Sequence, residues 1–333
     1  SGFGSILTNL GKVRFAGFDI DITTQNISHK NFSWSTKLVW SYVENKVLKL
    51  PDNGRDKNRI GGYTVKMADG STIEFGGTAE GEPLGRFYGY KTDYIITTQE
   101  QANNARYDSQ SRGWDWTKKN YVTGNKNSSI GKKAIGDYEW MDLNGDGIIN
   151  GSDMYYLGNT LPKHTGGLGN TFTYKNLTLN IYLDWALGHS ISNNLLQRQM
   201  CNFFGNNTSL PTEIKKAWDP ESGQNVADAK YARFGGNDSD ELNKNYRPNS
   251  NVFTTKGDYL CIRDVSLQYL LKCPGLKKAK IENIAFTLSG SNLHYFTKVI
   301  GMSPETGTSN AYSSSFYTYP PIKRFSLGVK VTF

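Results

Sequence analysis

Hydrophobic and polar residues alternate along several stretches of the chain. At the C-terminus Phe325, Leu327, Val329, Val331 and Phe333 take every second position, with Ser326, Gly328, Lys330 and Thr332 between them. Side chains point to opposite faces along a strand, so this run predicts one apolar face and one polar or small face. Leu177, Leu179, Ile181, Leu183, Trp185 and Leu187 repeat the pattern against Thr178, Asn180, Tyr182, Asp184, Ala186 and Gly188. Phe32, Trp34, Leu38, Trp40 and Tyr42 do so against Ser33, Ser35, Lys37 and Ser41, with Val39 as an apolar residue on the second face. Shorter runs centre on Ile20, Val265 and Phe286, and a further strand is predicted over 164–174, where Asn170 interrupts the apolar row.

Length narrows the choice. The longer runs reach about 10–13 residues, against ~5–6 for common soluble strands and ~9–11 for a tilted strand crossing a membrane. Asp and Lys on the second face are costly in a dry core and tolerated in a water-filled lumen. Trp34, Trp40, Tyr42, Tyr174, Trp185 and Tyr269 fall toward strand ends, where a membrane protein places its interfacial aromatics. Connections are short and polar at 26–30, 175–176 and 272–280, and long at 45–163, 190–256 and 298–320. Outer-membrane barrels have this asymmetry of short turns and long external loops. The fold predicted is an all-β, antiparallel transmembrane β-barrel, of which this chain supplies about seven spanning strands. The first, about residues 13–24, runs toward the short-turn side. An odd strand count does not close a barrel of even strand number, and Ser1-Gly2-Phe3-Gly4 resembles no signal segment, so a piece of a longer polypeptide is expected.

Composition agrees with this picture. Of 333 residues 13% are aromatic and 35 are Gly, as strands joined by turns require. No apolar run approaches the ~18 residues of a membrane helix, which excludes a helical membrane protein and says nothing against a barrel. The net charge of +8 comes from scattered Lys and Arg without a basic block, so nucleic acid is not an expected partner. Three cysteines (Cys201, Cys261, Cys273) fit neither a disulfide framework nor a zinc site.

The most specific chemical motif is DLNGDGIINGSD (142–153). Asp142, Asn144 and Asp146 fall at positions 1, 3 and 5, and Gly147 at position 6 permits the sharp turn. Ile148 offers a carbonyl at position 7, Asn150 stands at position 9, and Asp153 closes the loop at position 12. This is EF-hand-like spacing for structural Ca²⁺, with Asp in place of the usual closing Glu. An Asx- and Gly-rich turn without metal is the alternative. Aromatic candidates for ligand contact are Phe87, Tyr88 and Tyr90 in the first long connection, and Tyr312, Tyr317 and Tyr319 in the last. Against them stand ordinary strand packing for the first group and an interfacial belt for the second. Four histidines share no motif with Cys, Asp or Glu, and neither a GxSxG nor a phosphate-binding Gly-Lys loop occurs, so no enzyme is expected. His164 and His189 flank neighbouring strands and could meet.

Several stretches in order resemble SusC/RagA-type TonB-dependent outer-membrane transporters, in their C-terminal barrel portion. They are TNLGKVRFAGFDIDI (8–22), EGEPLGRFYGYKTD (80–93), GDYEWMDLNGDGIINGSD (136–153) and LGNTLPKHTGGLGNTFTYKNLTLNIYL (157–183). DYLCIRDVSLQYLL (258–271), LSGSNLHYFTKVIGMSPETG (288–307) and the terminal RFSLGVKVTF follow. Cys261 departs from the basic residue common there. The resemblance implies a barrel of about 22 strands with a plugged lumen. It implies a Gram-negative outer-membrane location, a SusD-like lipoprotein partner, and TonB coupling through a plug and segment upstream of Ser1. It also implies import of a nutrient too large for porins, an oligosaccharide or a peptide. Asp19, Asp21, Asp184 and Asp264 would line the passage. The competing reading of the same pattern is a secreted, soluble β-sandwich that binds glycans and is stapled by calcium; a passive porin is a third.

Overall fold

A computed structural model describes residues 11–109, 112–115, 120–123, 132–201, 209–234, 245–278, 280–307 and 321–333. The alternating runs form one antiparallel sheet of seven strands, each paired with its sequence neighbours in the sheet. They are β1 (Lys12–Ser28), β2 (Phe32–Lys49), β3 (His164–Tyr174), β4 (Leu177–Leu187), β5 (Tyr259–Leu271), β6 (Asn283–Thr297) and β7 (Arg324–Thr332). β1 and β2 have 17 and 18 residues, well beyond a soluble strand. Both outrun their predicted ends. Val47 of β2 is buried beneath the first long connection, its N–H donating to the Glu82 carbonyl and its own carbonyl accepting from Gly81 N. That second set of partners keeps β2 extended after β3 has left it.

Register brings the apolar residues of all strands onto one face. Ile20 pairs with Trp40, Leu38 with Leu168, Leu168 with Leu183, Leu179 with Leu267, Leu267 with Leu288 and Leu288 with Leu327. This face is uncovered: Leu288 is 55%, Phe325 73% and Leu327 78% exposed. Among the described residues every other sheet has two strands, so the greasy rows meet no facing sheet and the sandwich reading does not hold. The face fits hydrocarbon. Two aromatic levels bound it. At the short-turn end Trp34 stacks on Phe172 at 5.6 Å; at the long-loop end Phe18 meets Trp40 at 5.3 Å and Tyr42 meets His164 at 4.9 Å. Trp34 and Tyr42 are eight residues apart, ~27 Å along the strand at about 3.4 Å per residue and ~21 Å in height at a tilt of about 40°, near the ~25 Å apolar band of an outer-membrane wall.

Asn170 does interrupt the apolar face, and it is satisfied there. Its Oδ1 accepts from Trp34 Nε1 at 3.0 Å and from the Thr36 hydroxyl at 2.7 Å. Thr36 accepts from Asn26 Nδ2 at 2.7 Å, and Asn26 Oδ1 accepts from Thr24 at 2.8 Å. A line of hydrogen bonds among these side chains lowers the cost of polar groups in an apolar medium. The opposite face is hydrophilic. Lys37 pairs with Asp21 at 3.4 Å, Ser41 donates to Asp19, and Ser291 donates to Asp264 at 3.0 Å.

All three short connections lie at one end of the sheet and the three long ones at the other. No helix among the described residues is long and apolar enough to cross a membrane. Leu183→Arg, near the middle of the apolar face, is expected to cost about 2–4 kcal/mol in denaturant unfolding from liposomes, whereas Asn180→Arg on the polar face costs ~0–1. Equal costs would contradict this assignment of faces.

Candidate functional site

The long connections build a second unit at one end of the wall. The first (50–163) and second (188–258) interlock through side chains that neither could bury alone. Trp140 and Ile149 are wholly buried with Tyr90, Tyr138 and Ala232, and Leu196, Met200, Tyr246 and Phe253 form an adjoining core. Arg247 from the second connection lies between Tyr90 and Trp140, 4.1 and 4.5 Å from their ring centres, and pairs with the buried Asp108. Asp137 accepts from Arg233 Nε at 2.6 Å and Asn245 Nδ2 at 2.8 Å, while Asn245 Oδ1 accepts from Tyr138 N at 3.0 Å. Lys133 and Glu139 form a fully buried pair at 3.0 Å, and burial pushes the Lys133 ammonium down. Glu213 feels the same burial penalty. Hydrogen bonds from Lys216, Lys230 and Tyr231 outweigh it and bring its carboxyl down to about 2.

The EF-hand-like loop sits on this unit. Asp142 accepts from Gly145 N at 2.7 Å and Gly147 N at 2.8 Å; Asp146 accepts from Ile148 N at 2.8 Å; Asn150 accepts from Ser152 N at 2.7 Å. Asp153 is buried and closes the loop, accepting from Asn150 N at 2.7 Å and Leu143 N at 2.9 Å. Burial pushes its carboxyl up to about 6, and Asp142 and Asp146 add to the rise against those two hydrogen bonds. A cation in the loop would relieve that crowding, so the donor set fits calcium in kind and spacing. Among the described residues no three His, Cys, Asp or Glu side chains converge as a ready-made metal cluster. Any coordination therefore draws on Asn144, Asn150 and the Ile148 carbonyl as well.

On the hydrophilic face a second network holds the start of the last connection. Arg263 is an extra residue of β5 against β4, at a point where β6 sets two residues, Asn292 and Leu293, against it. Its guanidinium reaches Asp184 through Nε and Nη2, each at 2.8 Å, Asn292 Oδ1 at 2.7 Å, and Glu305 in the turn Pro304–Gly307. Tyr295 OH donates to Glu305 at 3.1 Å. Asn193 Nδ2 donates to the Ile300 carbonyl at 2.6 Å. The segment entering the last connection is thus folded back over the polar face. Cys261 is buried in the same row, opposite Tyr295.

No protein-family model matches the chain. Individual proteins do. The chain is 25% identical over 343 residues to TonB-dependent receptor P3 of Formosa agariphila, and 25% identical over 354 residues to TonB-dependent receptor P39 of the same organism. Each alignment takes in 100% of this chain. The chain is similar to TonB-dependent receptors along its whole length. It spans about 30% of the length of those relatives, at 30% of one and 32% of the other. Among solved structures, the RagAB peptide transporter superposes on 100% of the chain with a TM-score of 0.61 at 17% identity, using 31% of that protein. The closed-closed state of the RagAB peptide importer gives 0.62 at 16%. The likeness to the RagA type read from the sequence therefore extends to the fold.

Phe87, Tyr88 and Tyr90 are 3%, 6% and 5% exposed, so they pack the external unit and are not offered to a ligand. Tyr94 and Tyr156 are exposed aromatics of that region, and the Arg86 guanidinium lies 4.9 Å from the ring centre of Tyr156. Tyr312, Tyr317 and Tyr319 lie outside the described residues. His164 and His189 do not form a site. The first packs on Trp40 and Tyr42, and the second is buried against Gly257. Asp19, Asp21, Asp184 and Asp264 all fall on the hydrophilic face, each with a partner. Sequence reading passed over Arg263 and Arg247. The available signal for Arg263 was a charged pair, Arg263-Asp264, inside an otherwise alternating strand.

Glu305→Gln removes one anion from Arg263 and leaves Asp184 in place. Hydrogen exchange of the full-length protein is expected to quicken at least about tenfold in residues 298–307, with β5 and β6 unchanged. Unchanged exchange in 298–307 would show that the pair does not hold the segment.

Proposed function

We propose that this chain is wall and external loops of a TonB-dependent importer in the outer membrane of a Gram-negative bacterium. The observation that carries the reading is a seven-stranded sheet with a bare apolar face between two aromatic levels and a hydrophilic face behind it. Its cargo is a nutrient too large for porins, an oligosaccharide or a peptide; the solved relatives named as peptide transporters favour the second. A SusD-like lipoprotein serves as partner over the long-loop end, and coupling to TonB runs through a plug and segment belonging to the rest of the protein. The long connections are extracellular, and the hydrophilic face with Asp19, Asp21, Asp184 and Asp264 lines the passage. The role is transport, with no chemistry on the cargo.

The test joins location to energy coupling. The full-length protein is expected to partition with outer membranes and to stay monodisperse only in detergent. A strain lacking it should lose growth on one class of large oligopeptide or oligosaccharide, and the restored gene should fail to rescue in a background without TonB. A detergent-free monodisperse protein, or rescue without TonB, refutes the reading.

The loop 142–153 is proposed to hold a structural Ca²⁺ through Asp142, Asn144, Asp146, the Ile148 carbonyl, Asn150 and Asp153. Its task is to pin the external unit, since Ala68 N donates to the Asn144 carbonyl at 2.8 Å. Chelator is expected to raise protease cleavage within 142–153 several-fold, and Asp142→Ala or Asp146→Ala to do the same in calcium, without preventing wall assembly. Identical cleavage in calcium and in chelator would remove the metal from the account.

A further inference from the structure

Two cavities lie near each other where β2 parts from β3 at the long-loop end, their linings including the consecutive residues Lys163 and His164 and the consecutive residues Leu187 and Gly188. The lower one, about 340 Å³, lies on the apolar face and is walled by Leu38, Trp40, His164, Trp185 and Leu187. Gly166 makes it possible. A Cβ there would stand 2.5 Å from the Trp185 ring and 2.4 Å from the Val39 carbonyl oxygen, so only glycine lets that ring lie across β3. The upper cavity, about 590 Å³, begins at the next residues of the same strands, Lys163 and Gly188, and is also lined by Arg14, Lys46 and Glu44.

The upper cavity carries excess positive charge on the outward face. Tyr42 faces outward with Phe18 and His164, and Glu44 and Lys46 follow it at the two-residue period. Lys163 pairs with Glu44 at 2.8 Å, which satisfies one cation. Arg14 and Lys46 sit directly opposite each other in register and make no ion pair among the described residues. Like charges facing across two strands oppose the pairing unless an anion lies between them. Lys46 is four residues beyond Tyr42, ~14 Å along the strand and ~10 Å in height at a tilt of about 40°. That is just outside the aromatic level, where lipid headgroups lie.

We propose that this pair of cavities binds a net-anionic lipid of the outer leaflet that carries a phosphate monoester, its phosphate on Arg14 and Lys46 and one acyl chain in the groove between Trp40 and Trp185. The charge of the upper cavity and the greasy lining of the lower one call for an occupant with both parts. The groove also continues the face already assigned to hydrocarbon. The proposal rests on that membrane-wall reading, whose own failure would show first as a protein monodisperse without detergent.

The test uses the full-length protein, extracted in dodecyl maltoside and stripped of lipid on a column. Its unfolding midpoint is measured with dioleoyl phosphatidic acid, dioleoyl phosphatidylcholine or inorganic phosphate. Phosphatidic acid is expected to raise the midpoint by roughly 3 °C or more, with little effect from the other two. The double variant Arg14→Gln, Lys46→Gln should lose the preference for phosphatidic acid. Leu187→Trp, which fills the groove and keeps the cations, should weaken the response to phosphatidic acid and so serves if the double variant does not fold. An equal response to the two lipids, an equal response to inorganic phosphate, or an undiminished response in the folded variants would overturn the proposal.

Discussion

The five inner strands of the wall each have two neighbours in hydrogen bonding, β1 and β7 have one each among the described residues, and every strand has two different surroundings for its side chains. The backbone is satisfied sideways, strand to strand, so the faces are free to differ. The period of two then sorts residues with no tolerance for slippage, because a shift by one would turn Leu168 inward and Gly167 outward together with everything paired to them. The polar chain through Asn170, the ion pairs of the hydrophilic face and the two aromatic levels are all consequences of that sorting. Each marks a place where a residue lies near the boundary between hydrocarbon and water and is provided with a partner suited to it.

The external unit obeys a different rule. It has few long strands, and it buries charged groups in pairs beside its apolar cores. Asp108 with Arg247, Asp137 with Arg233, and Glu139 with Lys133 cross between distant parts of the chain or lie deep within it. A buried pair is weak as a source of net stability, and breaking one by removing a single partner costs about 3–5 kcal/mol. Such pairs therefore specify which segments meet more than they strengthen the meeting. Arg247 adds two aromatic faces to its carboxylate, so its fit depends on shape as well as charge.

The wall was legible in the sequence because alternation is a local signal. The two-residue turn at Lys175-Asn176 is local too, and it appears in the fold where the spacing puts it. What escaped depends on partners remote in sequence. The bulge at Arg263 is defined only by what β4 and β6 present to it, and the extension of β2 to Lys49 only by the backbone of residues 81 and 82. Phe87, Tyr88 and Tyr90 misled for the same reason. A glycine-rich aromatic run reads alike whether it is wrapped by other chain segments or left bare, and here the wrapping comes in part from the stretch around residue 249. Asp137 and Asn245, 108 residues apart, share a bond that no periodicity announces.

That last bond has a consequence for how the mouth of such a wall can diversify. The first connection is made before the second, yet its acids at 108 and 137 pair with arginines of the second. Transplanting either connection alone from a relative would strand those acids in an apolar interior. The two are thus bound to vary as a matched set, whereas the turns at the opposite rim, which exchange no buried charge, are free to drift one at a time.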